Sequence, residues 1–213
     1  MKVLGIETSG LVGNLAVCDD NRVVARKSYG KNFSHGKEII SSLESLFNEA
    51  KWEPGDIDLI AVSTGPGSYT GLRVGVTCAK TLAYGLGKPV IDVPTLDVLV
   101  ENVEDNGAKT ICPVLDAKRK SVYACIYERS GNESRKSTDF LIISAGDLIK
   151  ILPESTLIFG DGIAPYRDIF TQKNLTIVED EKLCIADAAD VARLGLERYE
   201  QGIRCEINAL APL

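Results

Sequence analysis

An apolar strand that runs straight into a glycine-rich turn and then into a helix constrains this chain more than any other feature. The strand is Asp58-Leu59-Ile60-Ala61-Val62-Ser63 and the turn is Thr64-Gly65-Pro66-Gly67-Ser68-Tyr69-Thr70-Gly71. The segment that follows carries Leu72, Val76, Ala79, Leu82 and Ala83 at roughly helical spacing. Strand, turn and helix in this order point to an α/β fold with parallel strand pairing. Gly65, Gly67 and Gly71 permit positive φ and close backbone approach, and Ser68 or Thr70 is placed to cap the helix. A helix start offers unpaired N–H groups and the positive end of its dipole, so Gly65, Gly67, Ser68 and Gly71 are candidate contacts for an anion or a nucleotide. The turn is no Walker P-loop, since Leu72 and Arg73 follow Gly71 where Lys and Ser or Thr would stand. Its glycines also miss the Gly-x-Gly-x-x-Gly spacing.

The rest of the chain reads as two halves of similar plan. Strands over 2–8, 13–18 and 22–27 form a meander. A long amphipathic helix over 34–51 follows, with Ile39, Ile40, Leu43, Leu46, Phe47 and Ala50 at steps of three and four. A strand at 57–63, a helix at 72–86, a strand at 90–93 and a helix at 95–103 complete a first lobe, 1–104. The polar, turn-rich run 101–109 marks its boundary. In a second lobe, 105–213, strands over 110–115, 121–127 and 138–143 form another meander, with a hairpin loop at 130–134. A helix at 146–152, a strand at 156–159 ending in Gly160-Asp161-Gly162, a further helix and a strand at 175–178 come next. The shared order points to an internal duplication. The last helix, 186–199, shows Ala189, Ala192, Leu196 and Tyr199 on one side and is free to pack back on the first lobe.

Charge and cysteine usage narrow the functions open to such a chain. Its net charge of −6 makes it a poor stand-alone RNA binder, because nucleic-acid affinity comes mainly from Lys and Arg neutralising phosphates. The densest basic run, Lys118-Arg119-Lys120, reads as a solvated hairpin turn or a contact with nucleic acid or a partner. Six cysteines, at 18, 78, 112, 125, 184 and 205, form no Cys-x-x-Cys pair and read as structural thiols, with Cys18, Cys112 and Cys125 in apolar strand-like runs where free cysteine is a small buried hydrophobe. No apolar run approaches the ~18 residues of a membrane span, and Met1-Lys2-Val3-Leu4-Gly5-Ile6-Glu7 is too soon charged for a signal peptide. A cytoplasmic protein with no membrane partner is expected.

Taken whole, Ser63-Thr64-Gly65-Pro66-Gly67-Ser68-Tyr69-Thr70-Gly71-Leu72-Arg73-Val74-Gly75 resembles the signature of the TsaB (YeaZ) family of the glycoprotease-like superfamily. These are bacterial proteins of tRNA threonylcarbamoyladenosine biosynthesis. Leu4-Gly5-Ile6-Glu7-Thr8-Ser9 resembles the first strand and turn that the family shares with its catalytic relative TsaD. Val114-Leu115-Asp116-Ala117-Lys118-Arg119 with Val122-Tyr123 resembles the strand of its second lobe. The resemblance is strong to about residue 125 and weak beyond it. It implies an α/β, two-lobed, actin-like and hexokinase-like (ASKHA) fold, each lobe a mixed sheet with helices. In such a fold Thr8-Ser9-Gly10 and Asp116-Ala117-Lys118 are turns aimed at a nucleotide cleft, which adds Glu7, Thr8, Ser9 and Asp116 to the candidate anion or nucleotide contacts. Glu7 and Asp116 stand where kinase-type relatives hold magnesium, and each suits a turn-stabilising carboxylate equally well.

Histidine separates the family from its catalytic relative, which the resemblance equips with a metal held by a histidine pair on one helix face plus an acidic residue. This chain has one histidine, His35, at the start of the long helix, and Gly10-Leu11 stands where TsaD continues with Cys-Asp. No catalytic residue, no metal and no cofactor are expected. The resemblance then implies a non-catalytic scaffold that pairs with TsaD through first-lobe helices. Ile39, Ile40, Leu43, Leu46, Phe47, Leu72 and Val76 are the expected interface, and the same side chains equally suit packing on their own lobe. It further implies a homodimer when TsaD is absent, the ATPase TsaE as a further partner, and tRNA met only indirectly. The alternative is an independent enzyme, either an actin-like nucleotide-binding phosphotransferase or a glycoprotease-type peptidase. A peptidase needs a metal-bound water or an activated nucleophile with its base, and one histidine supplies neither a metal-binding pair nor a convincing Ser-His-Asp set.

Overall fold

The computed structural model describes residues 1–30, 35–104, 107–131 and 133–213. The expected helix start at residue 34, the side chain of His35, the boundary residues 105–106 and residue 132 of the expected hairpin loop lie outside the described residues. In chain order the elements are β1 (Lys2–Glu7), β2 (Gly13–Asp19), β3 (Arg22–Tyr29), α1 (His35–Ala50), β4 (Leu59–Gly65), α2 (Tyr69–Leu86), β5 (Val90–Pro94) and α3 (Thr95–Glu101). They continue with β6 (Thr110–Asp116), β7 (Ser121–Ala124), β8 (Tyr127–Ser130), β9 (Glu133–Lys136), β10 (Leu141–Ser144), α4 (Ala145–Ile151), β11 (Leu157–Phe159), α5 (Arg167–Phe170), β12 (Thr176–Val178) and α6 (Ala188–Glu200). Two compact units result, one of Met1–Val98 with Ala186–Leu213 and one of Leu99–Ile185. The structure therefore divides the chain after Val98, where the sequence suggested residue 104, and it places Ala186–Leu213 in the first unit.

The first unit is built on a sheet of order β3-β2-β1-β4-β5, with β1, β4 and β5 mutually parallel and β2 and β3 antiparallel. β1 and β4 are buried on both faces, which is why they read as continuous apolar runs rather than alternating ones. Leu4, Ile6, Ile60 and Val62 pack with Ile39, Leu43, Leu46 and Phe47 of α1 and Val76, Ala79 and Ala83 of α2. On the opposite face the side chains are small so that α6 can approach. A Cβ at Gly5 would lie 2.0 Å from the Ala188 carbonyl oxygen, and one at Gly195 would lie 2.4 Å from the Ala61 Cβ. α2 starts at Tyr69, before the expected residue 72, because Ser68 caps it by accepting from the Gly71 N–H at 3.3 Å. Gly87, in the left-handed region at φ 64°, ends it.

The second unit repeats that plan with the order β10-β7-β6-β11-β12, again two antiparallel pairings followed by two parallel ones. Its core gathers Cys112, Val114, Val122 and Ala124 with Leu148, Leu152, Ile158 and Phe170. The expected strand 121–127 is two strands. β7 ends its pairing with β10 at Ala124, and β8 resumes against β6 at Tyr127. Between them the Ile126 N–H donates to Thr138 Oγ1 at 3.0 Å, so the interruption is hydrogen-bonded rather than frayed. β9, part of which fell in the expected hairpin loop, pairs with β8.

All six cysteines are free thiols, and Cys18, Cys78, Cys112 and Cys125 are buried. Burial pushes the Cys18 and Cys78 thiols up to about 11, which leaves them inert as nucleophiles near neutrality. No helix among the described residues is long and apolar enough to cross a membrane.

Candidate functional site

Because β1, β4 and β5 are parallel, their carboxyl ends lie along one edge of the first sheet, the usual place for ligands in open α/β sheets. That edge carries Glu7, Thr8, Ser9, Ser63, Thr64 and Thr95, all buried. Glu7 is 1% exposed and its Oε1 accepts from the Ser9 N–H. Burial pushes the Glu7 carboxyl up from its ordinary value of 4.5, opposed chiefly by its hydrogen bonding with Ser9. The Thr8, Thr64 and Thr95 hydroxyls have no hydrogen-bond partner among the described residues. Buried hydroxyls in that condition are suited to an ordered water or to a ligand oxygen.

The glycines of the turn prove to be packing devices first. A Cβ at Gly67 would lie 2.7 Å from the Ser9 carbonyl oxygen, and the neighbouring Ser68 N–H donates to that oxygen at 2.7 Å. A Cβ at Gly75 would lie 2.2 Å from Thr8 Oγ1. Gly65 holds φ 114°, and a Cβ there would meet Leu72 Cδ1 at 3.0 Å. The turn and the first turns of α2 thus press on residues 8 and 9, and Ser9 fills the space directly under Gly67. Gly71 is buried within α2 and supplies its N–H to the Ser68 cap. An anion at this turn would therefore have to approach from a side other than that of Ser9.

In the second unit, Asp116 at the end of β6 is tied into its own turn. Its Oδ1 accepts from the Lys118 N–H at 2.8 Å and its Oδ2 from Lys118 Nζ at 2.6 Å. The Lys118 hydrogen bond holds its carboxyl below the usual carboxylate value. The Asp116 N–H donates to Asp161 Oδ1 at 3.0 Å, within the Gly160-Asp161-Gly162 loop. That loop lies on β6, since the Gly162 N–H donates to the Val114 carbonyl at 3.0 Å and a Cβ at Gly160 would lie 2.1 Å from the same oxygen. Of the two roles open to Asp116, these contacts fit turn stabilisation. Glu7 belongs to the first unit and Asp116 to the second.

The expected partner interface needs correction. Ile39, Leu43, Leu46 and Phe47 of α1 and Leu72 and Val76 of α2 are all buried within the chain itself, because both helices turn these faces to the sheet. Ile40 is the exception, at 59% exposed. A Cβ at Gly36 would touch Val74 Cγ2 at 3.6 Å, so Ile40, one turn further on, lies on the side of α1 that faces α2. Two residues not anticipated share the outer surface of α2. Tyr69 is exposed, with the Arg73 guanidinium 4.2 Å from its ring centroid, and Tyr84 is 84% exposed. The signal was present in the spacing. Positions 69, 73, 77, 81 and 84 follow a helical repeat on the exposed side of α2, and two of them are large aromatic groups.

A family model described as "TsaD: tRNA N6-adenosine threonylcarbamoyltransferase" matches residues 31–195. The chain is 36% identical over 128 residues to the "tRNA threonylcarbamoyladenosine biosynthesis protein TsaB" of Bacillus subtilis (strain 168), a match covering 60% of this chain and 56% of that protein. It thus spans little more than half the length of that relative. To the protein of the same name from Escherichia coli (strain K12) it is 23% identical over 218 residues, covering 100% of this chain and 94% of that one. Among solved structures it is similar to "YeaZ from Pseudomonas aeruginosa", with a TM-score of 0.85 at 21% identity over 100% of both chains. A ROK hexokinase from Thermus thermophilus gives a TM-score of 0.52 at 9% identity over 95% of this chain and 100% of that one. These two likenesses show the fold alone, an α/β fold of the actin-like, hexokinase-like (ASKHA) class.

Proposed function

We infer the role of this chain from the family it belongs to: it is a member of the TsaB (YeaZ) group within the family described as tRNA N6-adenosine threonylcarbamoyltransferase. In this reading it serves the biosynthesis of threonylcarbamoyladenosine in tRNA as a non-catalytic partner in the cytoplasm. It pairs with TsaD and holds that enzyme in its competent conformation.

The observation that carries the non-catalytic part is the single histidine in 213 residues. Two imidazoles four residues apart, which would grip a metal from one helix face, cannot be assembled from it. The two carboxylates at matching turns are also poorly disposed to hold magnesium. Glu7 is buried with its pKa raised, which favours the neutral form, and Asp116 is engaged by Lys118. Exposed apolar and aromatic groups on α1 and α2 support the pairing part. In this reading Ile40, Tyr69 and Tyr84 form the contact, while Leu43, Phe47 and their buried neighbours hold the helices that present it. The same face joins two copies of the chain when TsaD is absent, and the ATPase TsaE meets the assembled pair.

Light scattering on the purified chain, alone and mixed with TsaD, tests the reading. A homodimer that exchanges into a one-to-one complex is the expected result. Titration with ATP and magnesium covers the phosphotransferase alternative. Micromolar binding with turnover by the isolated chain would replace the scaffold reading with that one.

A further inference from the structure

The second unit presents a basic turn beside an apolar and aromatic sheet edge, and the reading above leaves both unused. Lys118, Arg119 and Lys120 follow β6 and are exposed. All three hold left-handed backbone conformations, with φ of 62°, 51° and 68°. Such conformations are unfavourable for residues with a Cβ, so the surrounding hydrogen bonds must impose them. Those bonds run from the Ala117 N–H to the Ser121 carbonyl at 3.0 Å and from the Ser121 N–H to the Lys118 carbonyl at 3.0 Å. Lys118 is neutralised by Asp116. Arg119 and Lys120 have no partner among the described residues and point their charge into solvent.

Strand register sets an apolar row next to this turn. Ser121 of β7 pairs with Ser144 of β10, and one step of the same face further on Tyr123 pairs with Ile142. Leu115 of β6 pairs with Tyr123 from the other side. These side chains lie on the face away from Val114, Val122 and Ala124 of the second unit's core; Leu115 is itself buried there, Tyr123 is half-buried and Ile142 is exposed. β10 is the outer strand of its sheet, Ile142 is 73% exposed, and Phe140 just before it carries Lys136 Nζ 4.2 Å from its ring centroid. Cations therefore stand at both ends of a short platform made by Tyr123, Ile142 and Phe140.

We propose that this face of the second unit contacts RNA directly, with Arg119 and Lys120 on phosphates and a base stacked against Tyr123 and Ile142. The inference rests on the family reading above, which makes tRNA the RNA in question, and it replaces the expectation that tRNA is met only through TsaD. A nucleic-acid strand joins regularly spaced negative charge to flat apolar faces, which is the combination the turn and the platform offer. An acidic peptide would answer the two free cations and leave the platform uncovered. In a chain of net charge −6 such a contact is weak alone and adds to the affinity of a complex.

The test follows labelled tRNA binding to the chain mixed with TsaD, from 50 to 200 mM salt, with pairing read separately by size exclusion without RNA. The Arg119→Glu/Lys120→Glu variant should melt and pair as the parent does. Its log–log salt slope should be shallower by about 1.4 to 1.8, for two lost phosphate contacts. Tyr123→Ala should weaken binding about fivefold or more with little change of slope. Unchanged binding and slope in the charge-reversed variant would overturn the proposal and leave the family reading standing. So would competition by a polyglutamate peptide as strong as that by an RNA of equal charge, which would assign the face to an acidic protein. If the parent chain does not pair with TsaD, the family reading fails instead. The proposal is then decided on the isolated chain, where a salt-dependent difference between parent and variant supports it and its absence overturns it.

Discussion

Glu7 is a carboxyl group at the end of a strand buried on both faces, and its protonation is linked to folding. Its pKa in the folded chain is raised by burial above the ordinary 4.5. The favourable, neutral state is fully available below that ordinary value, and its contribution is lost as pH rises through the folded value. Glu7→Gln keeps an oxygen for the Ser9 N–H and removes the titration. Its melting temperature relative to the parent should therefore climb from pH 4.5 toward pH 8, and a gap that stays constant over that range would refute the linkage. The glycines offer a paired prediction. Gly67→Ala drives a methyl group into the Ser9 backbone and should cost about 1–3 kcal/mol. Gly85→Ala, in the last turn of α2 with nothing within 4 Å, should stabilise by about 0.5–1 kcal/mol. Calorimetry of the two variants reads opposite signs if the glycines are placed as described. That a glycine turn joins β4 to α2 was legible in the sequence, although the turn is shorter than expected, with Gly65 closing β4 and Gly71 already inside α2. Which atoms the glycines approach was not, because Ser9 comes to Gly67 from a strand far away along the chain.

At the scale of elements, the repeat of apolar residues in α1 identified the helix and its amphipathic face. It could not separate Ile39 from Ile40, which are neighbours in sequence and differ only in which body they meet. Ile39 enters the core with Leu43 and Phe47, and Ile40 is left outside. A charged residue at Leu43 or Phe47 is therefore predicted to unfold the first unit, at a cost of at least about 3 kcal/mol, rather than to leave a folded chain that no longer pairs. Ile40→Asp and Tyr84→Asp should each stay within about 0.5 kcal/mol of the parent stability and lose pairing with TsaD. Circular dichroism with size exclusion separates these results. A folded, non-pairing Leu43→Asp variant would contradict the placement of the core. In the second unit the strand 121–127 looked continuous because Cys125 and Ile126 are apolar. Only the transfer from β10 to β6 as pairing partner interrupts it, and pairing partners are not written in a local pattern.

At the scale of the molecule, the repeated order of strands and helices made the two related sheets legible: five strands of the second sheet follow the order of the first, and β8 and β9 are additions to it. The sequence left α6 free to pack back on the first lobe, and it lies in the first unit. The reason lies in Gly5, Ala61 and Gly195, which leave room for helix against sheet only when all three are brought together. On the proposed function, this chain enables the tRNA reaction without performing it. Reconstitution with purified tRNA and an activated threonylcarbamoyl donor tests that most directly, with threonylcarbamoyladenosine quantified after digestion of the tRNA. No product from this chain alone, little from TsaD alone and full turnover from the two combined are the expected results. Product formed by this chain in the absence of TsaD would make it an enzyme in its own right and overturn the scaffold reading.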